Sequence, residues 1–332
     1  MMLSWVFKKW PQTPEHLRAN TELYRSDQNL LPPSESLPRV LLFELTQGCS
    51  WGRCTYCCGF DGQRYEARSA DEFKSHVDAI IRRIRPGSDL AYRFKRVFIG
   101  GGNALAIDSI ELAKAVEIAI EGFSMLTPDR YNPRRVATYG RTADFNKHGV
   151  DGLARLTDAG LDLVYWGVES GSDAVLKSVM KGDSKKLISK AAQILERSTL
   201  RTSVMIMPGL GGYANYDSHV GDTAEVLSMI QPDYVTFLGI NPKGTRYDTL
   251  MRNEVEAGTN RPLTRKETAQ QMIDIIGRTR FSSRIKLGCF DTNVDKVGLN
   301  PLAFGSVEVD CDYLRDRFVL QQRKVLDLAY SA

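Results

Sequence analysis

Five absences or scarcities narrow this 332-residue chain before any motif is read. No stretch approaches 18 uninterrupted apolar residues, which excludes a membrane-spanning helix of ordinary length. The apolar start, Met1 to Phe7, has neither a charged n-region nor a small-residue cleavage site, so no secretory leader is expected. Long basic runs are missing too. The 44 basic and 40 acidic residues are scattered, the net charge is only +4, and Lys8-Lys9 is far too small a patch to argue for nucleic acid. Histidine is scarce: His16, His76, His148 and His219 show no metal-ligand spacing and are expected at packing or surface positions. Cysteine is scarce as well, with two of the six, Cys289 and Cys311, isolated. A secreted disulfide scaffold spreads its cysteines over a shorter chain, so the expectation is a reducing, cytoplasmic compartment.

The other four cysteines crowd into ten residues. The run Thr46-Gln-Gly-Cys-Ser-Trp-Gly-Arg-Cys-Thr-Tyr-Cys-Cys58 places Cys49, Cys54 and Cys57 on one short loop. Three thiolates can hold three corners of a metal cluster and leave one metal open to an exogenous ligand, which suits a reactive cofactor. Structural zinc normally takes four protein ligands. Adjacent residues rarely point at one metal, so Cys58 is an awkward fourth ligand, whereas Cys289 or Cys311 is a remote possibility. Inert or redox-active thiols are the remaining reading.

Around this loop the chain alternates strand and helix. After a polar, proline-broken stretch (residues 1–38, with one short helix near Glu15–Tyr24), the run Arg39–Leu45 reads as a buried strand. Further strands are expected at Arg96–Ile99, Arg135–Tyr139, Leu161–Val168, Thr202–Met207 and Tyr234–Gly239. Helices are expected at Ala70–Arg85, Ile107–Gly122, Gly149–Ala159, Ser172–Met180, Lys185–Arg197 and Asp217–Ile230. This spacing calls for a parallel sheet with right-handed crossovers. The fold class is therefore α/β, a partial (β/α)6 TIM-like barrel over residues 39–240. The N-terminal extension is 1–38. Residues 241–332 are an α/β addition closing the barrel, with a helix at Leu263–Thr279, a strand at Arg284–Phe290 and a last helix at Asp312–Leu328. In such folds chemistry gathers at the C-terminal ends of strands. The cysteine loop, Gly100-Gly-Gly-Asn103, Glu169 and Pro208-Gly-Leu-Gly-Gly all fall at such ends.

The cysteine loop resembles that of radical S-adenosylmethionine enzymes, with Tyr56 as the aromatic before the third cysteine. Four residues lie between Cys49 and Cys54, where the usual number is three. The resemblance extends over residues 40–240. Trp166-Gly-Val-Glu-Ser-Gly and the segment running to Lys181 are similar to the branch containing oxygen-independent coproporphyrinogen oxidases and methylthiotransferases. The resemblance implies a [4Fe–4S] cluster on Cys49, Cys54 and Cys57. It implies S-adenosylmethionine held by Gly100, Gly101, Gly102 and Asn103, by Glu169 and Lys181, and by Met205, Phe237 and Leu238 on the fifth and sixth strands. Many relatives carry an aspartate where Met205 lies, and Lys181 supplies charge without the bidentate fork of arginine.

The implied reaction is reductive cleavage of S-adenosylmethionine to a 5′-deoxyadenosyl radical that abstracts hydrogen from a small-molecule substrate. An electron donor such as flavodoxin or ferredoxin would supply the electron. The extra loop residue motivates an alternative, 3-amino-3-carboxypropyl radical chemistry. A zinc-stabilised, non-enzymatic binding protein is the alternative from another class. For substrate contacts the candidates are Glu44, opposite Phe43 and Leu45 on its strand, and Tyr139 with Arg141 at the third strand end. Asn241, Lys243, Asp291 and Asn293 are further polar positions. A carboxylate inside a barrel needs a partner or a function.

Overall fold

The structure is a computed structural model. It describes residues 31, 32, 35, 40–57, 59, 60, 62–126, 132–240, 242–282, 285–290 and 307–309, with the backbone alone at 286, 288–290 and 307–309. The expected helices near residues 15–24 and 312–328 lie outside the described residues, as do most of the N-terminal extension, Cys58, Asn241, Asp291, Asn293 and Cys311. The chain divides into two compact units. The first comprises Met1–Gly52, Gly62–Gly140 and His148–Tyr165; the second comprises Arg53–Asp61, Arg141–Lys147 and Trp166–Ala332.

In the first unit, strand β1 (Val40–Gly48) is buried on both faces almost throughout, as a near-continuous apolar run in a parallel sheet should be. It pairs in parallel with β3 (Arg96–Gly102), Val40 opposite Arg96 and Phe43 opposite Ile99. Strand β3 pairs in parallel with β4 (Val136–Gly140). A two-residue strand, β2 (Glu66–Ala67), covers the outer edge of β1 antiparallel. The order is β2-β1-β3-β4 and then the first residues of β5 (Leu163–Glu169). Helix α1 (Ala70–Ile84) starts at a capping box: the Ser69 hydroxyl accepts from the Glu72 amide, and the Glu72 carboxylate accepts from the Ser69 amide. Its buried face, Phe73, Val77, Ile80, Ile81 and Ile84, follows the 3.6-residue period and packs beside α2 (Ser109–Leu126). Helix α3 (Thr142–Asp158) begins earlier than its apolar pattern indicates and is broken at Gly149, whose φ is 62°.

The second unit takes up the end of β5 and continues the order β5-β6-β7-β8-β9. It contains α4 (Asp173–Ser178), α5 (Lys185–Leu195), β6 (Arg201–Ile206), α6 (Tyr216–Ile230) and β7 (Tyr234–Leu238). Then come α7 (Arg246–Glu256), α8 (Arg265–Arg278), β8 (Ile285–Phe290) and β9 (Val307–Val309). Pairing of β6 with β7 and of β7 with β8 is parallel, and β9 closes the edge antiparallel. Helix α8 carries a second capping box, Thr264 with Glu267. The fold class is the expected one: α/β, mostly parallel, with an open strand order matching a partial TIM-like barrel. Two short edge strands and α7 were not foreseen. Helix α7 has only Tyr247 and Met251 buried, too sparse an apolar stripe to announce it.

Candidate active site

In the first unit the cysteine loop leaves β1 at Gly48, and Asn103 holds that exit. The Asn103 amide donates to the Gly48 carbonyl (3.3 Å), its side-chain amide to the Ser50 hydroxyl (3.0 Å), and its carbonyl accepts from the Tyr65 phenol (3.3 Å). Gly101 has φ +92°, and a Cβ there would stand 1.9 Å from the Thr46 carbonyl oxygen. One at Gly102 would stand 1.9 Å from that of Gly48. These two glycines are therefore demanded by the approach of the β1 backbone, whatever else they meet. Gly100 pairs with Glu44 in the β1–β3 ladder. The Glu44 carboxylate has the partner that burial requires: Arg68 reaches Oε1 at 2.8 Å and the Glu44 carbonyl at 2.8 Å. Tyr139 is half-buried in an aromatic group, its ring 5.1 Å from that of Phe98 and 6.1 Å from that of Tyr165.

Cys49, Cys54 and Cys57 are half-buried and form no disulfide. In the second unit, Cys54 and Cys57 span a turn closed by the Cys57 amide on the Cys54 carbonyl (3.3 Å). Between them Thr55 is gripped on both sides. Its amide and hydroxyl donate to the Val179 carbonyl (3.0 and 3.4 Å), and its own carbonyl accepts from the Tyr247 amide (3.0 Å). Tyr56 packs against the cluster of Val175, Val179, Leu210, Tyr247 and Met251. Its phenol is pushed well above its ordinary pKa, first by burial and then by the negative charge of Glu169 and Cys54.

Strand β5 is buried along all seven residues and ends at Glu169, whose φ of 67° is a conformation that few residues other than glycine adopt. Glu169 lies back over Gly167: a Cβ at Gly167 would be 2.4 Å from Glu169 Oε1 and 3.3 Å from Lys181 Nζ. The Lys181 ammonium is 3.7 Å from Glu169 Oε1, and Glu169 Oε2 is buried with no hydrogen-bond partner among the described residues. Burial raises the Glu169 carboxyl pKa, opposed by Lys181. Burial would lower that of Lys181, but Glu169, Cys54 and Asp183 outweigh it, and the net shift is upward. Arg141, whose amide caps onto Asp144 Oδ2 (2.8 Å), lies near enough to oppose the charge on Lys181.

Two residues of this group escaped sequence reasoning. The Asp183 carboxylate takes the Thr142 hydroxyl as donor, and Thr142 in turn accepts from the Trp166 indole (3.0 Å). The available signal was Gly182 (φ 69°), a turn residue that sets Lys181 and Asp183 on either side of one reversal. Met205 and Phe237 are buried on β6 and β7, and Leu238 is half-buried. The end of β6 meets Glu169 through the Met207 amide on the Glu169 carbonyl (3.0 Å). His76 accepts from the Glu44 amide (2.8 Å), His148 bonds the Leu105 carbonyl (2.7 Å) and His219 bonds the Ser170 hydroxyl (2.7 Å), all packing roles. Cys289 lies on β8.

The donor set fits an iron–sulfur cluster: three half-buried thiols in no disulfide lie on one short loop, and the second unit, which holds Cys54 and Cys57, also has a buried carboxylate with one oxygen still unpartnered. Among the described residues no three cysteine, histidine or acidic side chains are gathered as a ready-made metal site. The fit therefore rests on donor type and spacing. The model of the radical SAM superfamily matches residues 43–227, more than half of the chain, and the chain belongs to that superfamily. It is accordingly an enzyme, and the cofactors of its class are a [4Fe–4S] cluster and S-adenosylmethionine.

Solved structures similar to it include the radical S-adenosylmethionine methyltransferase TsrM from Kitasatospora setae, bound to tryptophan and an S-adenosylmethionine analogue. That match has 16% identity, covers 62% of this chain and 38% of that one, and has a TM-score of 0.44. Methylornithine synthase (PylB) is 13% identical, with 73% and 63% covered and a TM-score of 0.46. Coproporphyrinogen III oxidase (HemN) from Escherichia coli is 12% identical, with 76% and 63% covered and a TM-score of 0.43. The chain spans less than two thirds of the length of each. No curated protein matches it. Among the described residues no helix is long and apolar enough to cross a membrane.

Proposed function

We propose that this chain binds a [4Fe–4S] cluster through Cys49, Cys54 and Cys57 and acts on a small-molecule substrate in a cytoplasmic setting. An acidic flavodoxin or ferredoxin serves as electron donor, and nucleic acid has no part. The cluster, when bound, supplies the electron that cleaves S-adenosylmethionine to a 5′-deoxyadenosyl radical. The observation that carries this reading is the open carboxylate of Glu169. It is buried, backbone-strained, loosely paired at 3.7 Å and left with one unpartnered oxygen, beside a tyrosine and a lysine that both feel Cys54. A buried acceptor without a donor is costly unless a ligand completes it.

In this reading Glu169 accepts from a donor group of the cofactor, and Lys181 faces its carboxylate. Trp166, Thr142 and Asp183 form a chain of hydrogen bonds, and the Asp183 charge that the chain holds in place acts on Lys181. The backbone of Gly100, Gly101, Gly102 and Asn103 borders the cofactor while also fitting against β1. Met205, Phe237 and Leu238 line its apolar part, and Tyr56 flanks the cluster loop. Tyr139 and Arg141 are assigned to the substrate. Glu44, engaged by Arg68, is assigned a structural role in place of the substrate contact that its strand position suggests. Residues 1–38, 39–240 and 241–332 remain the proposed division into extension, core and addition.

Anaerobic purification and iron–sulfide reconstitution test the proposal. A brown protein with about four irons is expected. Single Cys49→Ala, Cys54→Ala and Cys57→Ala variants should each lose the cluster, and Cys58→Ala should keep it. A colourless protein holding one zinc after reconstitution would sink the reading. With dithionite and S-adenosylmethionine the expected product is 5′-deoxyadenosine. Its absence, with methylthioadenosine in its place, would favour 3-amino-3-carboxypropyl chemistry, which the extra residue between Cys49 and Cys54 motivates.

A further inference from the structure

We propose that helix α7 is a clasp on the cluster loop, and that Tyr247 is the positioning residue for Cys54 and Cys57. The inference rests on the proposed role of those cysteines as cluster ligands. It concerns a part of the chain beyond the superfamily match, which ends at residue 227.

Thr55 stands between the two ligands, and its peptide groups are held from opposite directions: by Val179 past the end of α4 and by Tyr247 in the first turn of α7. First-turn amides have no acceptor inside their own helix, so they are free to hold an outside carbonyl, and the positive end of the helix dipole favours that contact. The Arg246 guanidinium adds a second, longer reach to the neighbouring Cys54 carbonyl (3.5 Å). The Tyr247 side chain then works in a different direction. It is buried, and its phenol accepts from the Gly211 amide (3.1 Å) and donates to the Gly209 carbonyl (3.4 Å). Its ring belongs to the apolar cluster against which Tyr56 packs. One residue therefore joins the backbone between two cluster ligands to the glycine turn that follows β6. The turn closed by the Cys57 amide on the Cys54 carbonyl gains rigidity from this external grip. Groups that orient metal ligands in this way typically change metal retention 10- to 100-fold when removed.

The test uses the full chain, reconstituted without air. Tyr247→Phe keeps the ring and the amide but removes both phenol bonds; Met251→Ala loosens the same apolar cluster and leaves those bonds in place. Readouts are the rate of iron loss to a chelator and the electron paramagnetic resonance spectrum of the reduced protein, with and without S-adenosylmethionine, alongside thermal melting. Tyr247→Phe should lose iron about tenfold faster than the parent and show an altered spectrum with S-adenosylmethionine. Met251→Ala should lower the melting temperature as much or more, with the parent's spectrum. A Tyr247→Phe protein with the parent's iron-loss rate and spectrum overturns the clasp, as does a Met251→Ala protein that reproduces every Tyr247→Phe effect. A parent chain that takes up no cluster overturns the functional reading and the clasp together; a parent that holds one isolates the clasp as the failing part.

Discussion

The two units treat their buried acids in opposite ways. In the first, Glu35 is held by Arg135, by Arg96 (3.2 Å) and by the Tyr165 phenol (2.8 Å), and Glu44 by Arg68. Both acids are 1% exposed; each Glu35 oxygen faces an arginine, although Oε2 makes no hydrogen bond among the described residues, and the Glu44 carboxylate meets Arg68 at 2.8 Å. In the second, Glu169 is 7% exposed, strained in its backbone, 3.7 Å from its cation and missing a donor on one oxygen. Burial alone does not mark a site. An acid paired closely with its own arginines has its charge offset within the fold, whereas one paired only loosely retains capacity for a ligand.

The sharpest way to break this comparison is to remove one acid from each unit. Glu44→Gln removes the charge that Arg68 meets at 2.8 Å and should cost about 3 kcal/mol of stability, read as a lower midpoint in urea, with cofactor affinity preserved in the protein that stays folded. Gly101→Ala, which needs both a positive φ and room that the Thr46 carbonyl occupies, should cost a similar or larger amount, about 3 kcal/mol or more. Glu169→Gln should behave in the reverse sense. Stability stays within about 1 kcal/mol of the parent, and affinity for S-adenosylmethionine, measured by calorimetry on reconstituted protein, drops about tenfold or more. Equal loss of stability in the two glutamine variants would erase the distinction.

Gly167→Ala is a finer probe, because its methyl group would displace the Glu169 carboxylate without touching its charge. About tenfold weaker cofactor binding with a small change in melting temperature is expected. Unchanged affinity would show that the position of Glu169 over Gly167 is incidental.

A pH-dependent effect concerns a second incompletely bonded group of the same unit, His219. It is fully buried and Ser170 occupies one ring nitrogen, while the other has no partner among the described residues. Burial pushes its pKa down to about 4. A base whose folded pKa lies below its unfolded one binds fewer protons when folded, so stability is full above about pH 6.5 and falls as the pH drops toward 4. The loss is at most about 3 kcal/mol. A urea-midpoint series from pH 7 to 4.5 should lose most of its slope in His219→Gln. The Glu267 carboxyl, held down at about 2 by Arg261, keeps its full stabilising contribution above about pH 4.5 and loses it only below that, outside this series.

Much of this molecule was legible from local pattern. Every core strand and helix expected between residues 40 and 240 is present, with ends displaced by a few residues, because buried parallel strands and amphipathic helices differ in period and length. Arg265–Arg278 and Ile285–Phe290 were also foreseen. Helix α7 was not, because its identity depends on what it packs against: Tyr247 and Met251 are its only buried residues, while its polar face carries the usual exposed charges. The site divides in the same manner. The cysteines stand out by spacing, and Tyr56, Glu169 and Lys181 could be picked out from the family resemblance. Asp183, Thr142 and Tyr247 could not, because their significance is a set of hydrogen bonds between residues tens of positions apart.

The sequence by itself therefore determined the class: strand–helix alternation, a three-cysteine loop after the first strand, and the superfamily that goes with them. Hydrophobic periodicity and ligand spacing are local properties, and local properties survive in a linear string. Only the tertiary structure decided which acid is spent and which is open, and why the glycine run has to be glycine. It also showed that a helix with no motif of its own grips the loop between Cys54 and Cys57. Each of those depends on which donor reaches which acceptor after folding, and on how close two backbones come.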